Sequence, residues 1–297
     1  MVPPAAPEKA PTVAVVTVSF GSGGVLPKFI ESITAASAQP LLTIVADNKP
    51  DGDELVQRQA EEHGARYLAL RSNRGYGGAV NAATADLPAS VRWILVSNPD
   101  VVLSANAIDI LVAAGEENEK IAAVGPCIRG AGGELYPSAR AVPSMRTGIG
   151  HALFVNLWSA NPWTRAYRKE TEEQPHRRDA GWLSGACVMV RRSAFEQLGG
   201  FDEGFFMYFE DVDLGYRFGK AGWDNLYVPR ASVTHTGAHS TRSDPAPMLR
   251  AHHQSARHYL NRRYPAPILT PLRLVLGLAL IVREQILVAR ERRERRR

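Results

Sequence analysis

Cysteine is scarce in this chain of 297 residues, where only Cys127 and Cys187 occur, far apart in the sequence. Their separation matches no metal-binding or redox pair, and two cysteines cannot build a disulfide framework. Long apolar runs are also missing. The longest uncharged apolar stretch, Leu274 to Val282, is far shorter than the roughly 20 residues that a membrane-spanning helix needs. The composition favours a protein of the reducing cytosol.

The N-terminal segment lacks the basic start and the apolar stretch of a secretory signal. Residues 1–11 are rich in proline and alanine, so we predict a disordered lead-in there. Two nucleotide-binding motifs are absent as well. No G-x-x-x-x-G-K-[ST] occurs, and the first glycine-rich turn has Leu26 where G-x-G-x-x-G requires its third glycine. These absences disfavour a P-loop NTPase and a dinucleotide-dependent dehydrogenase.

Alternating strands and helices are predicted from Thr12 to about Pro126. The hydrophobic fraction of 45% is ample for a packed core. The strand-like runs are continuous and often β-branched, which is typical of strands buried on both faces of a parallel sheet. The first four are predicted at Val13 to Phe20, Leu41 to Ala46, Tyr67 to Leu70 and Trp93 to Ser97. This pattern predicts an α/β fold with a mostly parallel, twisted sheet flanked by helices.

Polar residues follow several of these predicted strands, namely Asp47, Asn73, Asn81 and Asp100. In open parallel sheets, ligands bind beyond the carboxyl ends of the strands. We therefore expect these side chains to face one crevice.

The run FFMYFEDVDL, from Phe205 to Leu214, places Glu210, Asp211 and Asp213 directly after an aromatic cluster. Neighbouring like charges and apolar surface both raise the pKa of a carboxyl group, which suits a general base that works near neutral pH. An acidic first turn of an ordinary helix, favoured by the helix dipole, is the structural alternative.

Asp100 follows a predicted strand and Pro99, so its carboxylate should project from a strand end. Such a carboxylate is a natural ligand for Mg²⁺ or Mn²⁺, with phosphate oxygens and water completing the shell. The alternatives are a simple helix cap for Asp100 and a structural role for His235, which follows a later strand. A metal on a diphosphate leaving group, together with a carboxylate base, would suit transfer of a group from a nucleotide diphosphate.

Seven segments in this order resemble the family 2 inverting glycosyltransferases, over about Val13 to Ser240. They are VAVVTVSF, Asp47-Asn48, the N-x-G-Y-G-x-A-x-N run from Asn73 to Asn81, Asn98-Pro99-Asp100, GWLSGACVMVRR, GGFDEGFFMYFEDVDL and His235. The resemblance implies a GT-A type fold for nucleotide-diphospho-sugar transfer. Softer features are LYPSAR from Leu135, NPWTRAYR from Asn161 and the basic C-terminus. In these three features the chain is similar to the actinobacterial rhamnosyltransferases that build the arabinogalactan-peptidoglycan linker.

The resemblance also implies substrates. The donor would be dTDP-L-rhamnose, and the acceptor would be N-acetylglucosaminyl-diphospho-decaprenol, a polyprenyl-diphosphate-linked sugar. Two alternatives stay open. One is a family 2 transferase with another nucleotide sugar, such as UDP-galactofuranose. The other is a catalytically silent nucleotide-sugar-binding scaffold, which would be expected to lack the catalytic carboxylates.

The matching motif positions imply roles for individual residues. Asp47 would contact the nucleotide base. The nucleotide and sugar pocket would be formed with Asn73, Gly75, Tyr76, Asn81 and Asn98. Mg²⁺ or Mn²⁺ would be held by Asp100, the last residue of the family's D-x-D motif, and His235 would be a further ligand. Because Asn98 replaces the first aspartate of that motif, only one carboxylate is offered there.

The acidic run carries the implied catalytic residues. Asp211 would be the catalytic base, with Glu210 and Asp213 as supporting acids. The acceptor side would be lined by Trp182, Ser184 and Gly185.

We predict three segments, which are the lead-in at 1–11, a GT-A domain at 12–243 and a helical, basic extension at 244–297. The extension pairs an apolar helix with an arginine cluster, a pattern that indicates binding to an anionic membrane surface. This would place the protein in the cytoplasm, peripheral on the inner face of the cell membrane. A core or homo-oligomer helix is the alternative. No recognisable nucleic-acid-binding module accompanies the arginines, so nucleic acid is not an expected partner.

Overall fold

The computed structural model describes residues 10–144, 175–237 and 245–294. One mixed sheet forms its centre. The strands of this sheet are β1 (Val13–Ser19), β2 (Leu41–Asp47), β3 (Arg66–Ala69), β4 (Trp93–Ser97), β5 (Val101–Leu103), β6 (Ile121–Arg129), β7 (Leu135–Tyr136), β9 (Arg178–Ala180), β11 (Cys187–Arg191) and β12 (Asp224–His235). A separate pair contains β8 (Ala139–Arg140) and β10 (Trp182–Leu183).

Helices cover the sheet and form the C-terminal extension. They are α1 (Leu26–Ala36), α2 (Glu54–Glu62), α3 (Gly75–Thr84), α4 (Ala107–Glu116), α5 (Arg192–Gln197), α6 (Glu210–Lys220), α7 (Pro245–Arg263) and α8 (Thr270–Glu294). A short 3₁₀ turn, Pro267–Leu269, separates α7 from α8. In the ranges described, no helix is long and apolar enough to cross a bilayer.

The strand order is β3-β2-β1-β4-β11-β6-β12-β5. The first four strands pair in parallel, as do β6 and β12. The predicted mostly parallel α/β architecture is therefore confirmed. The strand β11 runs antiparallel between β4 and β6, and β5 runs antiparallel to β12. The sequence pattern did not indicate these reversals, because a buried strand reads as the same apolar run in either direction.

Alternate residues of the central strands pack on opposite faces of the sheet, as strand geometry requires. In β1, Val13 and Val15 join the cluster beneath α1, α2 and α4, whereas Ala14 and Val16 join the cluster beneath α3, α5 and α6. Both faces are apolar for this reason, which explains the continuous hydrophobic runs in the sequence.

Strand direction brings several loops to one edge of the sheet. Ser19 pairs with Asp47 where β1 and β2 end, and Ser97 at the end of β4 pairs with Cys187 at the start of the antiparallel β11. His235 pairs with Val101, directly after Asp100. The segments after β2, β4 and β12, and the segment before β11, therefore meet at this edge.

The predicted segment boundaries remain predictions, and most of the lead-in at 1–11 lies outside the described residues. The same holds for the last three arginines and for residues 145–174, which include the NPWTRAYR segment.

The contact between Gly115 and Trp93 provides a test of core packing. A methyl group on Gly115 of α4 would lie 2.4 Å from the ring of Trp93, which is fully buried. We expect Gly115→Ala to lower the free energy of unfolding by about 1–3 kcal/mol through overpacking, measured by urea denaturation. Gly219→Ala in α6 is the matched control, because no atom apart from its chain neighbours and the nearby backbone of its own helix lies within 4 Å of the added carbon. It should be neutral or stabilising by up to about 1 kcal/mol. Equal effects of the two changes would contradict this account of the core.

Candidate active site

Hydrogen bonds connect the end of β2 to the start of α3. Asp47 is fully buried and accepts hydrogen bonds from the Tyr67 hydroxyl at 2.7 Å and from the Lys49 amide at 3.1 Å. The Asn48 side chain donates to the Gly75 carbonyl at 2.8 Å and accepts from the Arg74 amide at 3.1 Å. The carboxylate expected to contact the nucleotide base is thus fixed at the sheet edge. Asn48 fixes the loop beside it.

The first turn of α3 requires glycine. Gly75 has φ +73°, and a Cβ built on it would lie 2.2 Å from the Phe206 carbonyl oxygen. The amide of Tyr76 donates to the same carbonyl at 2.9 Å, while Asn73 accepts from the Gly75 amide at 3.0 Å. The α3 start therefore contacts the loop that leads into α6, and a larger residue at position 75 would push the two segments apart.

Asn81 has a different position from the one expected of a pocket residue. Its side chain donates to the Phe201 carbonyl and accepts from the Phe201 amide, both at 2.9 Å. Its amide nitrogen also lies 3.3 Å from Glu203. In this structure Asn81 anchors the segment before α6.

Glu210 and Asp211 begin α6 and lie beside the acceptor-side segment. Asp211 Oδ2 accepts from the Gly185 amide at 2.9 Å, and Asp211 Oδ1 accepts from the Val212 amide at 2.8 Å. The Gly185 carbonyl in turn accepts from the Tyr76 hydroxyl at 2.7 Å. A chain of hydrogen bonds thus runs from α3 through Gly185 to the carboxylate of the expected base.

Burial raises the pKa of both neighbouring carboxyl groups, Glu210 and Asp211. Burial first, and then the charge of Asp211, raise the pKa of Glu210 to about 8. Burial also raises the pKa of Asp211, but hydrogen bonds from the Gly185 and Val212 amides oppose that rise. Among the described residues, Glu210 Oε2 is buried without a hydrogen-bond partner. We infer that the proton resides on Glu210 at neutral pH and that Asp211 carries the charge.

Tyr76 lies within electrostatic range of the whole site. Burial raises the pKa of its hydroxyl well above the usual value, and the charges of Glu210, Asp211 and Asp100 raise it further. The Tyr76 hydroxyl therefore stays a neutral hydrogen-bond donor. It lies near the carboxylates of two separate sequence motifs, the acidic run at Glu210 and the Asn98-Pro99-Asp100 tripeptide.

Asp213, the third expected acid, contacts arginines instead. It is buried and pairs with Arg217 of the same helix, and its other oxygen lies 3.3 Å from Arg262 of α7. These ion pairs connect α6 to the C-terminal extension. In this position Asp213 supports the helix that carries the other two acids.

The expected metal ligands converge. His235 Nε2 lies 3.1 Å from Asp100 Oδ1 and 3.3 Å from the side-chain nitrogen of Asn98. Asp100 is followed by β5, and the next helix starts only at Ala107, so the alternative of a helix cap is wrong. In the described part of the chain, no group of three His, Cys, Asp or Glu side chains could hold a metal ion.

The donor set at Asp100 and His235 nevertheless fits one divalent cation. Asp100 Oδ1 and His235 Nε2 lie 3.1 Å apart, so both atoms can contact a single ion. A carboxylate, an imidazole and the oxygens of a diphosphate would together supply the oxygen-rich shell that Mg²⁺ and Mn²⁺ prefer.

The three residues expected on the acceptor side differ in whether they contact Asp211. Gly185 contacts Asp211 directly, as described above. Trp182 is buried, donates to the Ala141 carbonyl at 3.1 Å and packs against Gly215 of α6. The Ser184 amide donates to Ser138 at 2.8 Å. Trp182 and Ser184 thus support the loop that presents Gly185.

Sequence reasoning did not assign the connecting roles of Asn48, Tyr76 and Arg262. The signal for Asn48 is its position directly after a strand, beside Asp47. No signal in the sequence could pair Arg262 with an acid on α6, because the two residues meet only through the packing of distant helices.

Comparisons with solved structures agree with this architecture. GalNAc-T7 with UDP, GalNAc and Mn²⁺ superimposes with a TM-score of 0.59 at 18% identity, over 85% of this chain and 48% of that one. The mannosyltransferase PcManGT from Pyrobaculum calidifontis, in complex with GDP-Man and Mn²⁺, gives 0.57 at 16% identity, over 91% and 70%. The chain therefore has the GT-A fold of these two proteins.

The family assignment rests on sequence. Residues 10–259 match the model for glycosyltransferase like family 2, so the chain belongs to that family. It is 45% identical to the N-acetylglucosaminyl-diphospho-decaprenol L-rhamnosyltransferase of Mycobacterium tuberculosis, over 95% of both chains. It is 28% identical to the rhamnosyltransferase WbbL of Escherichia coli, over 84% of this chain and 93% of that protein. The chain is thus a glycosyltransferase, as the sequence motifs predicted.

The protonation of Glu210 can be tested through the pH dependence of stability. Because its folded-state pKa is raised, the folded chain retains a proton that the unfolded chain releases above about pH 4.3. The stabilisation is complete below that pH and is lost as the pH rises toward about 8. Glu210→Gln mimics the protonated acid. Its free energy of unfolding, minus that of the wild type, should therefore increase between about pH 5 and 8 and then level off.

The control is Glu203→Gln, in the same loop region. The hydrogen bond from Arg74 lowers the pKa of Glu203, so its contribution is already complete above the pKa of the unfolded chain. Urea denaturation across this pH range should give a flat difference for the control. A flat difference for Glu210→Gln would show that Glu210 is ionised throughout.

Proposed function

We propose that this glycosyltransferase moves L-rhamnose from dTDP-L-rhamnose to the N-acetylglucosamine of N-acetylglucosaminyl-diphospho-decaprenol, with inversion at the anomeric carbon. The reaction would contribute to the linker between arabinogalactan and peptidoglycan. The observation that carries the proposal is the 45% identity to the enzyme of that name, over 95% of each chain. The second rhamnosyltransferase among the relatives supports the same donor sugar.

Asp211 is the proposed base. Its carboxylate is partly buried and is held by the Gly185 and Val212 amides, so one orientation is fixed before substrate binds. In a single displacement, Asp211 removes the proton from an acceptor hydroxyl while that oxygen bonds to the anomeric carbon. The bond from this carbon to the dTDP oxygen breaks, and the electron pair leaves with dTDP. Glu210, which stays protonated, keeps a second negative charge out of the site.

The donor would occupy the edge between Asp47 and Asp100. The α3 start, with Gly75 and Tyr76, lies beside the end of β2 and faces the loop before α6. Asp100 and His235 would hold Mg²⁺ or Mn²⁺, which when bound neutralises charge on the leaving diphosphate. The Asn98 side-chain nitrogen lies 3.3 Å from His235 Nε2, the same ring nitrogen that faces Asp100, so Asn98 would line the ion site directly.

Donor specificity and the base are tested together by a transfer assay. With a polyprenyl-diphospho-N-acetylglucosamine acceptor and Mg²⁺ or Mn²⁺, the wild type should transfer from dTDP-rhamnose and not from UDP-galactofuranose. Asp211→Asn should lower kcat by about 10²- to 10⁴-fold, the usual contribution of a general base. Asparagine retains an oxygen for the Gly185 amide, so donor binding, followed by thermal stabilisation, should persist.

Asp179→Asn, which changes an exposed carboxylate on β9, is the control and should leave kcat unchanged. Transfer from UDP-galactofuranose instead would overturn the proposed donor. Binding of dTDP-rhamnose without transfer would favour the silent scaffold. Near-normal turnover by Asp211→Asn would mean that another group is the base.

The α8 surface supports a membrane-bound acceptor. Exposed apolar side chains at Val275, Leu278, Val282 and Ile286 share one shallow groove with Arg283 and Arg290. Apolar groups flanked by arginines match the interface of an anionic bilayer, where acyl chains lie next to phosphate groups. We propose that α8 holds the enzyme on the cytoplasmic face of the membrane, where the lipid-diphosphate acceptor would be anchored.

Vesicle sedimentation tests this surface. Leu278→Ser with Val282→Ser should reduce binding to phosphatidylglycerol vesicles several-fold, since both side chains are exposed and their loss removes apolar area without changing the core. Leu55→Ser, at an exposed leucine of α2, is the control and should bind as the wild type does. Unchanged vesicle binding by the α8 variant, with a lower mass by light scattering, would instead identify α8 as a homo-oligomer interface.

A further inference from the structure

Two consecutive residues before the catalytic helix have an unusual backbone. Tyr208 has φ +68° and Phe209 has φ +69°, both in the left-handed region that side chains with a Cβ avoid. Each such residue costs about 1–3 kcal/mol and persists only when its surroundings hold it in place. Glu210 follows directly, so the direction in which the two catalytic-site acids point depends on this turn. We call residues 205–209 the catalytic turn.

The α3 side supplies one support for the catalytic turn. The Phe206 carbonyl accepts from the Tyr76 amide and lies so close to Gly75 that no side chain fits between them. This contact holds the start of the turn. It does not reach the two strained residues.

Helix α7 supplies the other support. Ser255 is buried, and its hydroxyl donates to the Met207 carbonyl at 2.7 Å. The His252 ring lies 5.5 Å from the Tyr208 ring and 5.4 Å from the Phe209 ring, measured between centroids. Tyr259, one further turn along α7, lies 5.5 Å from Phe209. Both left-handed residues therefore pack against the same helix.

Ion pairs fasten α7 around this contact. Arg262 lies 2.9 Å from Asp202 and 3.3 Å from Asp213, and His258 lies 3.1 Å from Asp202. Asp202 precedes the catalytic turn and Asp213 follows it. Helix α7 thus forms ion pairs with the chain on both sides of Tyr208 and Phe209.

We propose that Ser255 and His252 of α7 are positioning residues for the reaction, which hold the catalytic turn in its left-handed conformation and so aim Glu210 and Asp211. Neither residue touches the reacting atoms. The first helix of the C-terminal extension is then part of the catalytic apparatus, in addition to any role of the extension at a membrane. The inference rests on the proposed function for the role of Asp211, but its structural part can be measured separately.

The structural part is tested by hydrogen–deuterium exchange of the wild type and variants. Ser255→Ala and His252→Ala should accelerate exchange in peptides covering residues 205–213, while peptides from β1 and β4 stay unchanged. His252→Phe retains an aromatic ring and should restore slow exchange. Gln254→Ala, at an exposed position on the same helix, is the control and should match the wild type. Unchanged exchange at 205–213 in both alanine variants would overturn the proposal, even if no activity were measured.

The catalytic part uses the dTDP-rhamnose transfer assay. Ser255→Ala and His252→Ala should lower kcat about 10- to 100-fold, the effect of misplacing a catalytic group, with the KM for donor within about twofold. His252→Phe should recover most of kcat. If the wild type transfers rhamnose and both alanine variants do so at its rate, the positioning role is wrong. If the wild type itself does not use dTDP-rhamnose, the proposed donor fails, and the exchange experiment still decides the inference.

Discussion

The removal of two adjacent carboxyl groups from water is the constraint on which the rest of the site depends: Glu210 is buried, and Asp211 is partly buried. A buried carboxylate is costly unless hydrogen bonds compensate for the lost water. Here the compensation comes from the Gly185 amide and from the first turn of α6, whose free amides and dipole favour negative charge. Gly185 precedes β11, so the reversal of that strand in the sheet is what brings this amide to the carboxylate.

A second constraint on the site is the close approach of neighbouring segments at three glycines. Gly75 meets Phe206 and Gly215 meets Trp182 at distances that leave no room for a Cβ, and Gly185 lies within van der Waals reach of Asp211. These contacts bring three segments together, namely the α3 start, the segment before β11 and helix α6. Hydrogen bonds from Tyr76 to the Gly185 carbonyl and from the Gly185 amide to Asp211 then join all three, so the carboxylate geometry depends on the assembled fold rather than on any one loop.

Much of the fold could be predicted from sequence, because strands buried on both faces leave continuous apolar runs and because Asp47 and Asp100 stand at or just beyond the ends of such runs. The acidic segment at Glu210 could also be found, since its charges stand next to aromatic residues. Other features depend on contacts between distant parts of the chain. The pairing of Asp213 with Arg262, the attachment of Asn81 to Phe201 and the left-handed backbone at Tyr208 all arise from tertiary packing, which local patterns do not encode.

The support that α7 gives to the catalytic turn also concerns the order in which the chain is made. The sheet, the nucleotide-side residues and the acids of α6 all leave the ribosome before His252 and Ser255 do. Until those residues arrive, the ring contacts of His252 and the hydrogen bond from Ser255 are missing from the catalytic turn. On the proposed role of α7, a nascent chain would therefore complete most of its sheet first, and the catalytic turn would be held in its left-handed conformation only after α7 has docked.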